Sequence, residues 1–237
     1  MKRFRVLALV MVCHSLGTTA HAQMVSNWFN KPAIAEVINP VVGKGGQYQT
    51  TRRDQENATP ELQEITIVGK ESVGGKEGFW MEVSRQDKAQ SGITYAKMLF
   101  TKEDFQFHRT VIQQPGQQAL EMPFRPSDKT KNRVHEEIEK WSAAGTETIT
   151  VPAGVFVCKH WKKEKGASER GDSEIWTSEK VSPFGIVKEV TPERTMVLVK
   201  VITDAQDHIT GPVKTFDPQE MKRQMMEKMQ QQKPQEP

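Results

Sequence analysis

The fold of this chain is decided by residues 146–202, which read TETITVPAGVFVCKHWKKEKGASERGDSEIWTSEKVSPFGIVKEVTPERTMVLVKVI. Short runs of β-branched and aromatic residues alternate there with proline, glycine and charged residues, which is typical of strands joined by turns. We predict five strands, the first two joined by the turn Pro152-Ala153-Gly154, at 146–151, 155–161, 172–178, 186–190 and 195–203. Because no helical pattern separates these runs, they predict an antiparallel meander.

Alternation along the strands indicates which side chains face a core. On the second run Phe156 and Cys158 share one face, whereas Val155, Val157 and Trp161 share the other. The large apolar residues of this and the neighbouring strands should be mostly buried, and we name four of them as expected core residues: Trp80, Phe156, Trp176 and Leu198.

Five further strands are expected earlier in the chain, at 47–53, 62–68, 78–85, 93–101 and 105–112. They are short and are separated by turns rich in Gly, Asp, Asn, Lys and Ser. Glu82 lies on the third of them. We interpret it as the cross-strand partner of a base such as Lys97, or as a residue of the sheet rim, rather than as a general acid.

The N-terminus resembles a secretory signal. Residues 1–22 combine a basic start, a short apolar run and the small-x-small sequence Ala20-His21-Ala22, so we predict cleavage after Ala22 and a periplasmic or secreted mature protein. A lipoprotein signal ending at Cys13 is the rival interpretation. The apolar run is too short to span a bilayer, so no transmembrane segment is expected.

Export changes what the composition means. The signal contains three basic and no acidic residues, so the mature chain carries 30 basic against 30 acidic side chains and its charge predicts no nucleic-acid partner. Cys158 is then its single cysteine, which leaves no disulfide framework and predicts a small apolar core residue. A mature chain of this size buries roughly 70% of its unfolded surface, enough for one domain.

Known catalytic and metal patterns do not fit. The glycines at 43–46 lack the spacing of a phosphate-binding loop, and His135-Glu136-Glu137-Ile138-Glu139 is only a near miss of the zinc-binding helix. His160 lies two residues from Cys158 on the same face, but a plain strand end explains the pair better than a catalytic dyad. We therefore expect no enzymatic activity, no metal and no cofactor.

Two helical segments are predicted around the strands. Residues 23–42 fit a short amphipathic helix bearing Trp28 and Phe29, and a capped helix at about 129–144 places Val134, Ile138 and Trp141 on one stripe. Apolar stripes of this kind need something to pack on. These five residues are the candidate lining or lid of a ligand cavity.

The C-terminus forms a separate unit. Asp217 and Pro218 start a capped helix at 216–232, in which Met221, Met225 and Met229 form a narrow stripe, and residues 233–237 should be a disordered tail. The plain interpretation is a helix that frays. The alternative is a docking surface for a protein partner, because methionine adapts to different surfaces.

Three runs carry a family resemblance, GFWME at 78–82, VPAGVFVCKH at 151–160 and IWTSEKVSPFGIVK at 175–188. They are similar to exported bacterial domains of unknown function that are related to the lipoprotein localisation factors (LolA/LolB-like). For residues 43–215 the resemblance implies a mainly β, α+β fold: a strongly curved antiparallel sheet, or incomplete barrel, of about ten strands with helices on its concave side.

Those observations predict a non-enzymatic envelope protein. One hypothesis is that it binds a lipid, acyl chain or lipoprotein in the half-barrel. The other is a structural or interaction module whose barrel is filled by its own side chains. If the first holds, Trp141 lies against the concave face and its fluorescence should respond to long-chain apolar ligands.

Overall fold

The computed structural model describes residues 32–54, 59–87, 92–104, 106–122, 141–163 and 171–217, together with 219 and 223. This part of the chain contains one short helix, α1 (Pro32–Val37), and strands make up most of the remainder. The strands are β1 Gly45–Arg52, β2 Glu61–Val73, β3 Lys76–Asp87, β4 Gly92–Thr101, β5 Gln106–Gln113, β6 Leu120–Met122, β7 Trp141–Val151, β8 Gly154–Lys163, β9 Ser173–Thr177, β10 Ile186–Val190, β11 Arg194–Ile202 and β12 Lys214–Thr215.

All twelve strands form one open sheet in the order β12-β6-β5-β4-β3-β2-β1-β11-β10-β9-β8-β7. Neighbours are antiparallel except β12 and β6, which pair in parallel. The predicted fold class is therefore wrong. In the described residues the sheet does not form an incomplete barrel of ten strands with helices on a concave side, although each of the ten expected strands overlaps an observed one.

The sheet buries one face, which we call the core face. Period-2 alternation on β3 places Phe79, Met81 and Val83 on it, each at most 4% exposed. Helix α1 packs on the same face, where Ala33 and Ile34 are fully buried. Pro32 begins this helix rather than breaking it, because the missing N–H of proline is harmless at a first helical position.

The end of the sheet formed by β7–β11 curls back on itself. The Ala153 N–H, in the β7–β8 turn, donates to the Leu198 carbonyl on β11 at 3.4 Å. The inside of this curl is filled by apolar side chains, including Phe156, Cys158 and Ile175. Phe156, Trp176 and Leu198 are buried as predicted, whereas Trp80 is only partly buried because it lies on the opposite face.

Helix predictions were less successful. Residues 141–144 begin β7, so the helix predicted at 129–144 is wrong at its end, and its remaining residues lie outside the described part. At the C-terminus the Gln219 N–H donates to Asp217 Oδ1 at 2.8 Å, as expected of a helix cap. No helix in the described part is long and apolar enough to cross a membrane.

The opposite face of the sheet, here the outer face, is crossed by residues 203–213, which we call the strap. The strap leaves β11 beside β1 and ends in β12 beside β6, so its two ends are separated by six strands of the sheet, β1 to β6. Ile209 anchors it by packing with Val111 and Ala119, and the Lys214 N–H donates to the Ala119 carbonyl at 2.9 Å. Strands β6 and β12 were not expected, because three- and two-residue strands leave no periodic pattern.

Candidate functional site

The candidate site is the part of the outer face that the strap leaves open. Strand register puts Gln47, Glu64, Ser84 and Tyr95 side by side on β1, β2, β3 and β4. We call these four residues the polar row. Because the period of a strand is two residues, Leu62 and Ile93 lie next to Glu64 and Tyr95 on the same face, away from the strap.

The strap covers the next row on the other side, where Thr66, Glu82, Lys97 and Val111 are neighbours in register. An ion pair and a hydrogen bond from Lys97 hold it there. Lys97 Nζ lies 2.6 Å from Asp207 Oδ2 and donates to the Ile209 carbonyl at 3.1 Å. The predicted partner of Glu82 is therefore wrong, since Lys97 pairs with the strap even though it lies directly opposite Glu82.

Glu82 instead binds His208. The carboxylate is 2% exposed and accepts the His208 backbone N–H at 3.1 Å and the ring Nδ1–H at 2.6 Å. Burial raises the pKa of the Glu82 carboxyl, and the hydrogen bonds from His208 only partly offset that effect. The imidazole stacks on Tyr95 with ring centroids 4.6 Å apart, which fixes its position at the border between strap and open face.

A groove of about 690 Å³ begins at this border. It runs along the polar row and over the starts of β2 and β4 and the end of β3, and its size suits a small ligand. Leu62 and Ile93 are 47% and 41% exposed, so two large apolar side chains face the groove without being covered. Six lining residues determine its chemistry: Leu62, Glu64, Ser84, Ile93, Tyr95 and His208.

Negative charge dominates the electrostatics of the groove. Burial, followed by the charges of Glu82 and Glu64, raises the pKa of Tyr95 above its usual value. Within the described residues no group of three metal-ligating side chains comes together, here or elsewhere. The arrangement offers hydrogen bonds, apolar contact and negative charge to a bound molecule.

A second polar cluster surrounds His160 on β7–β9. Its Nδ1 lies 3.0 Å from Glu147 Oε1 and its Nε2 lies 2.7 Å from Glu174 Oε2. The ring also stacks on Trp176 with centroids 4.3 Å apart. Since both nitrogens already have carboxylate partners, His160 is held as a structural group and no nitrogen remains to activate Cys158.

Cys158 is fully buried, and its environment makes it inert. Burial, assisted by the charge of Glu147, raises the pKa of the thiol to about 11. The thiolate, which is the reactive form, is then about one part in a thousand at pH 8.

We therefore expect the folded protein to react with a thiol reagent such as DTNB at pH 8 far more slowly than the urea-unfolded chain, in which the ordinary cysteine pKa returns. The measurement is the absorbance of released thionitrobenzoate with time. Reaction at similar rates before and after unfolding would contradict the burial of Cys158.

Of the five residues predicted as a ligand site, Trp141 alone lies in the described part of the chain, and it does not line this groove. Trp141 is half-buried and packs against the core cluster at the start of β7. The other predicted residues lie outside the described part of the chain: Trp28, Phe29, Val134 and Ile138 of the expected lids, and Met221, Met225 and Met229 of the docking helix.

Sequence reasoning missed the groove for two reasons. Alternation shows that Leu62 and Ile93 each lie on a given face of their strand. It does not show which of the two faces of the sheet the rest of the chain covers. His208 lies in the strap, which has no periodic pattern and no motif. One signal was available in the sequence. Leu62 lies on the same strand face as Glu64 and Thr66, whereas Ile65 lies on the opposite face.

Comparison with known proteins identifies no family for the chain. No family model matches the chain, and no curated protein matches it either. Among solved structures, one similar chain is a Bacteroides fragilis NCTC 9343 protein described as exported and as having a YmcC-like fold. It shares 12% identity at a TM-score of 0.38, over 70% of this chain and 98% of its own.

Another similar chain is a Parabacteroides distasonis ATCC 8503 protein described as a lipoprotein. It shares 12% identity at a TM-score of 0.36, over 70% of this chain and 97% of its own. Neither description mentions a lipoprotein localisation factor, so these comparisons do not support the expected resemblance to that group.

Proposed function

We propose that this protein is an exported binding protein, not an enzyme, which holds a small amphipathic ligand in the outer-face groove. One observation carries the proposal. A groove of about 690 Å³ leaves Leu62 and Ile93 exposed directly beside the polar row, so apolar and polar contacts are offered to the same bound molecule.

The physical gain from such a ligand is moderate. Fully burying a leucine or isoleucine side chain is worth about 1.5–3 kcal/mol. Because Leu62 and Ile93 are already about half covered, a ligand would gain on the order of 1 kcal/mol from each. Hydrogen bonds to the polar row would add orientation, so we expect specificity to come from that row and part of the affinity from the apolar pair.

The core face favours a second candidate function, a structural or interaction module without a ligand. Apolar side chains fill that face throughout the described residues, including the curled end between β7 and β11. The two candidate functions differ in one respect, which is whether a ligand occupies the groove when the protein functions.

A substitution at Ser84 tests the proposal. Ser84 lies between Glu64 and Tyr95 in the polar row and faces the groove, so Ser84→Trp fills the groove without entering the core. With the neutral probe N-phenyl-1-naphthylamine, we expect saturable fluorescence enhancement for the wild type and at least a tenfold weaker response for Ser84→Trp.

Val157→Trp is the matched control, because Val157 is 60% exposed on β8 and does not line the groove. It places the same new ring on an exposed strand and should bind the probe like the wild type. Equal binding by wild type and Ser84→Trp, or no saturable binding at all, would support the ligand-free module.

A further inference from the structure

We propose that the groove selects a cationic ligand, an ammonium or guanidinium group carried on an apolar stem. The inference rests on the proposed function and names the chemical class of its ligand. The shared chemistry could be presented by a free alkylamine or by a lysine or arginine side chain of a peptide, and the experiment below separates these sources.

The charges around the groove do not cancel. None of its described lining residues is a lysine or arginine, whereas Glu61 and Glu64 are both among them. Arg85 neutralises Glu61 at 2.7 Å, and Asp207 neutralises Lys97 at 2.6 Å. Glu64 and the buried Glu82 remain, and His208 is the single basic side chain among the described lining residues.

Glu64 is the residue placed to receive a cation. Its Oε1 accepts the Gln47 side-chain amide at 2.9 Å, which orients the carboxylate without neutralising it. No lysine, arginine or histidine of the described chain lies within ion-pair distance of Glu64. A carboxylate accepts several hydrogen bonds, so one from Gln47 leaves capacity for an ammonium or guanidinium donor.

The spacing on the sheet suits a short stem. Residues two apart on a strand lie about 6.6 Å apart, which is the separation of Leu62 from Glu64 and of Ile93 from Tyr95. A stem of four to six carbons covers that distance. Its apolar atoms would lie on Leu62 and Ile93, which are half exposed, while its charged end reaches Glu64.

Anionic ligands are disfavoured by the same geometry. A phosphate or carboxylate in this groove would lie beside Glu64 and above Glu82, and none of the described lining residues is a lysine or arginine that would compensate. Burial raises the pKa of Tyr95, and the charges of Glu82 and Glu64 add to that effect, so the same negative charges also act on this group. We therefore expect fatty acids and anionic phospholipids to be poor ligands of the groove.

Three probes with one stem and different charge provide the test: hexylammonium, hexanol and hexanoate, titrated at pH 7 by ligand-observed NMR. We expect hexylammonium to bind the wild type at least fivefold more tightly than hexanol, and hexanoate not to saturate. Glu64→Gln should weaken hexylammonium binding by about five- to tenfold and leave hexanol unchanged. High salt should weaken only the cation, because exposed charges are screened.

Glu77→Gln is the matched control. Glu77 is an exposed carboxylate at the start of β3 that pairs with Lys70 and does not line the groove. It removes one negative charge from the protein and should leave hexylammonium affinity unchanged. An equal loss in both variants would show that net charge, not the groove, attracts the cation, and would overturn the proposal.

The remaining outcomes distinguish a failure of the charge selectivity from a failure of the proposed function. Equal binding of all three probes, blocked by Ser84→Trp, would overturn the charge selectivity and leave the groove as a binding site. Binding of no probe would remove the proposed function itself. For the source of the cation, capped Leu-Lys-Leu is compared with hexylammonium, with Leu-Glu-Leu as the charge control, and tighter binding of the lysine peptide than of hexylammonium would point to a peptide ligand.

Discussion

We expect Trp176→Ala to lower the free energy of unfolding by about 3–5 kcal/mol, the usual cost of deleting a buried tryptophan. Trp176 is 8% exposed inside the curled end of the sheet. One ring face stacks on His160, and Lys188 Nζ lies 4.8 Å from the ring centroid. The indole N–H donates to Glu147 Oε1 at 2.5 Å.

The substitution therefore removes more than apolar volume. It leaves a cavity against Cys158 and the rest of the core cluster, and it takes away one of the partners that hold Glu147 and His160 in place. Because the Glu147 side chain is 48% exposed, water can replace the lost indole N–H, and the cavity is the larger of the two costs. The cavity and the lost hydrogen bond both lower the free energy of unfolding, so we expect this substitution to have one of the two largest effects.

Equilibrium unfolding in urea measures the change. Trp176→Phe is the informative comparison, since it keeps an aromatic ring for His160 to stack on and loses the N–H, so its loss should be smaller. Val157→Ala, at a position 60% exposed, should change stability by less than about 0.5 kcal/mol. A loss below about 1 kcal/mol for Trp176→Ala would mean that this strand faces solvent.

We expect Gly45→Ala to cost about 3 kcal/mol or more, or to prevent folding, because overpacking a closed site forces the backbone to move. A Cβ at this residue would lie 2.2 Å from the Ile65 carbonyl oxygen and 2.7 Å from the Thr66 Cα. Both atoms belong to the backbone of β2, so no side-chain rotation relieves the clash. Gly45 also pairs with Ile202 on β11, which closes the other side.

The same assay reports the effect, with Gly211→Ala as its control. Gly211 lies in the strap, and a Cβ there would meet no atom within 4 Å. We expect that variant to be nearly as stable as the wild type. If Gly45→Ala were equally mild, β1 and β2 could not approach as closely as their register requires.

Gly45 and Gly46 have a structural role at the start of the first strand. The spacing of the glycines at 43–46 does not fit a phosphate-binding loop. In the structure Gly45 and Gly46 are buried residues of β1, and a Cβ at Gly46 would lie 2.7 Å from Leu198 Cδ1. Glycine is required at Gly45 for close strand approach rather than for flexibility.

Strand positions were predictable because alternation is a local property. Phe79, Met81 and Val83 repeat every two residues, and a strand places such residues on one face whatever the rest of the chain does. The helix at 129–144 was predicted by a similar argument from its apolar spacing. It is wrong at its end because residues 141–144 pair with β8, and pairing outweighs a weak helical preference.

The candidate site was not predictable in the same way. Glu82 was matched with Lys97 because the two are cross-strand neighbours, and the register does place them opposite each other. The strap then supplies His208 to Glu82 and Asp207 to Lys97, and these residues are more than 100 positions away in sequence. Nothing local to either residue signals such a partner.

The sequence by itself determined where the chain extends and which side chains alternate toward a core. Only the tertiary structure decided that twelve strands form a single open sheet, that a strap crosses its outer face, and that Leu62, Glu64 and His208 meet at a groove. The reason is that period and propensity act over a few residues, whereas strand order and strap position depend on contacts between segments far apart in the chain.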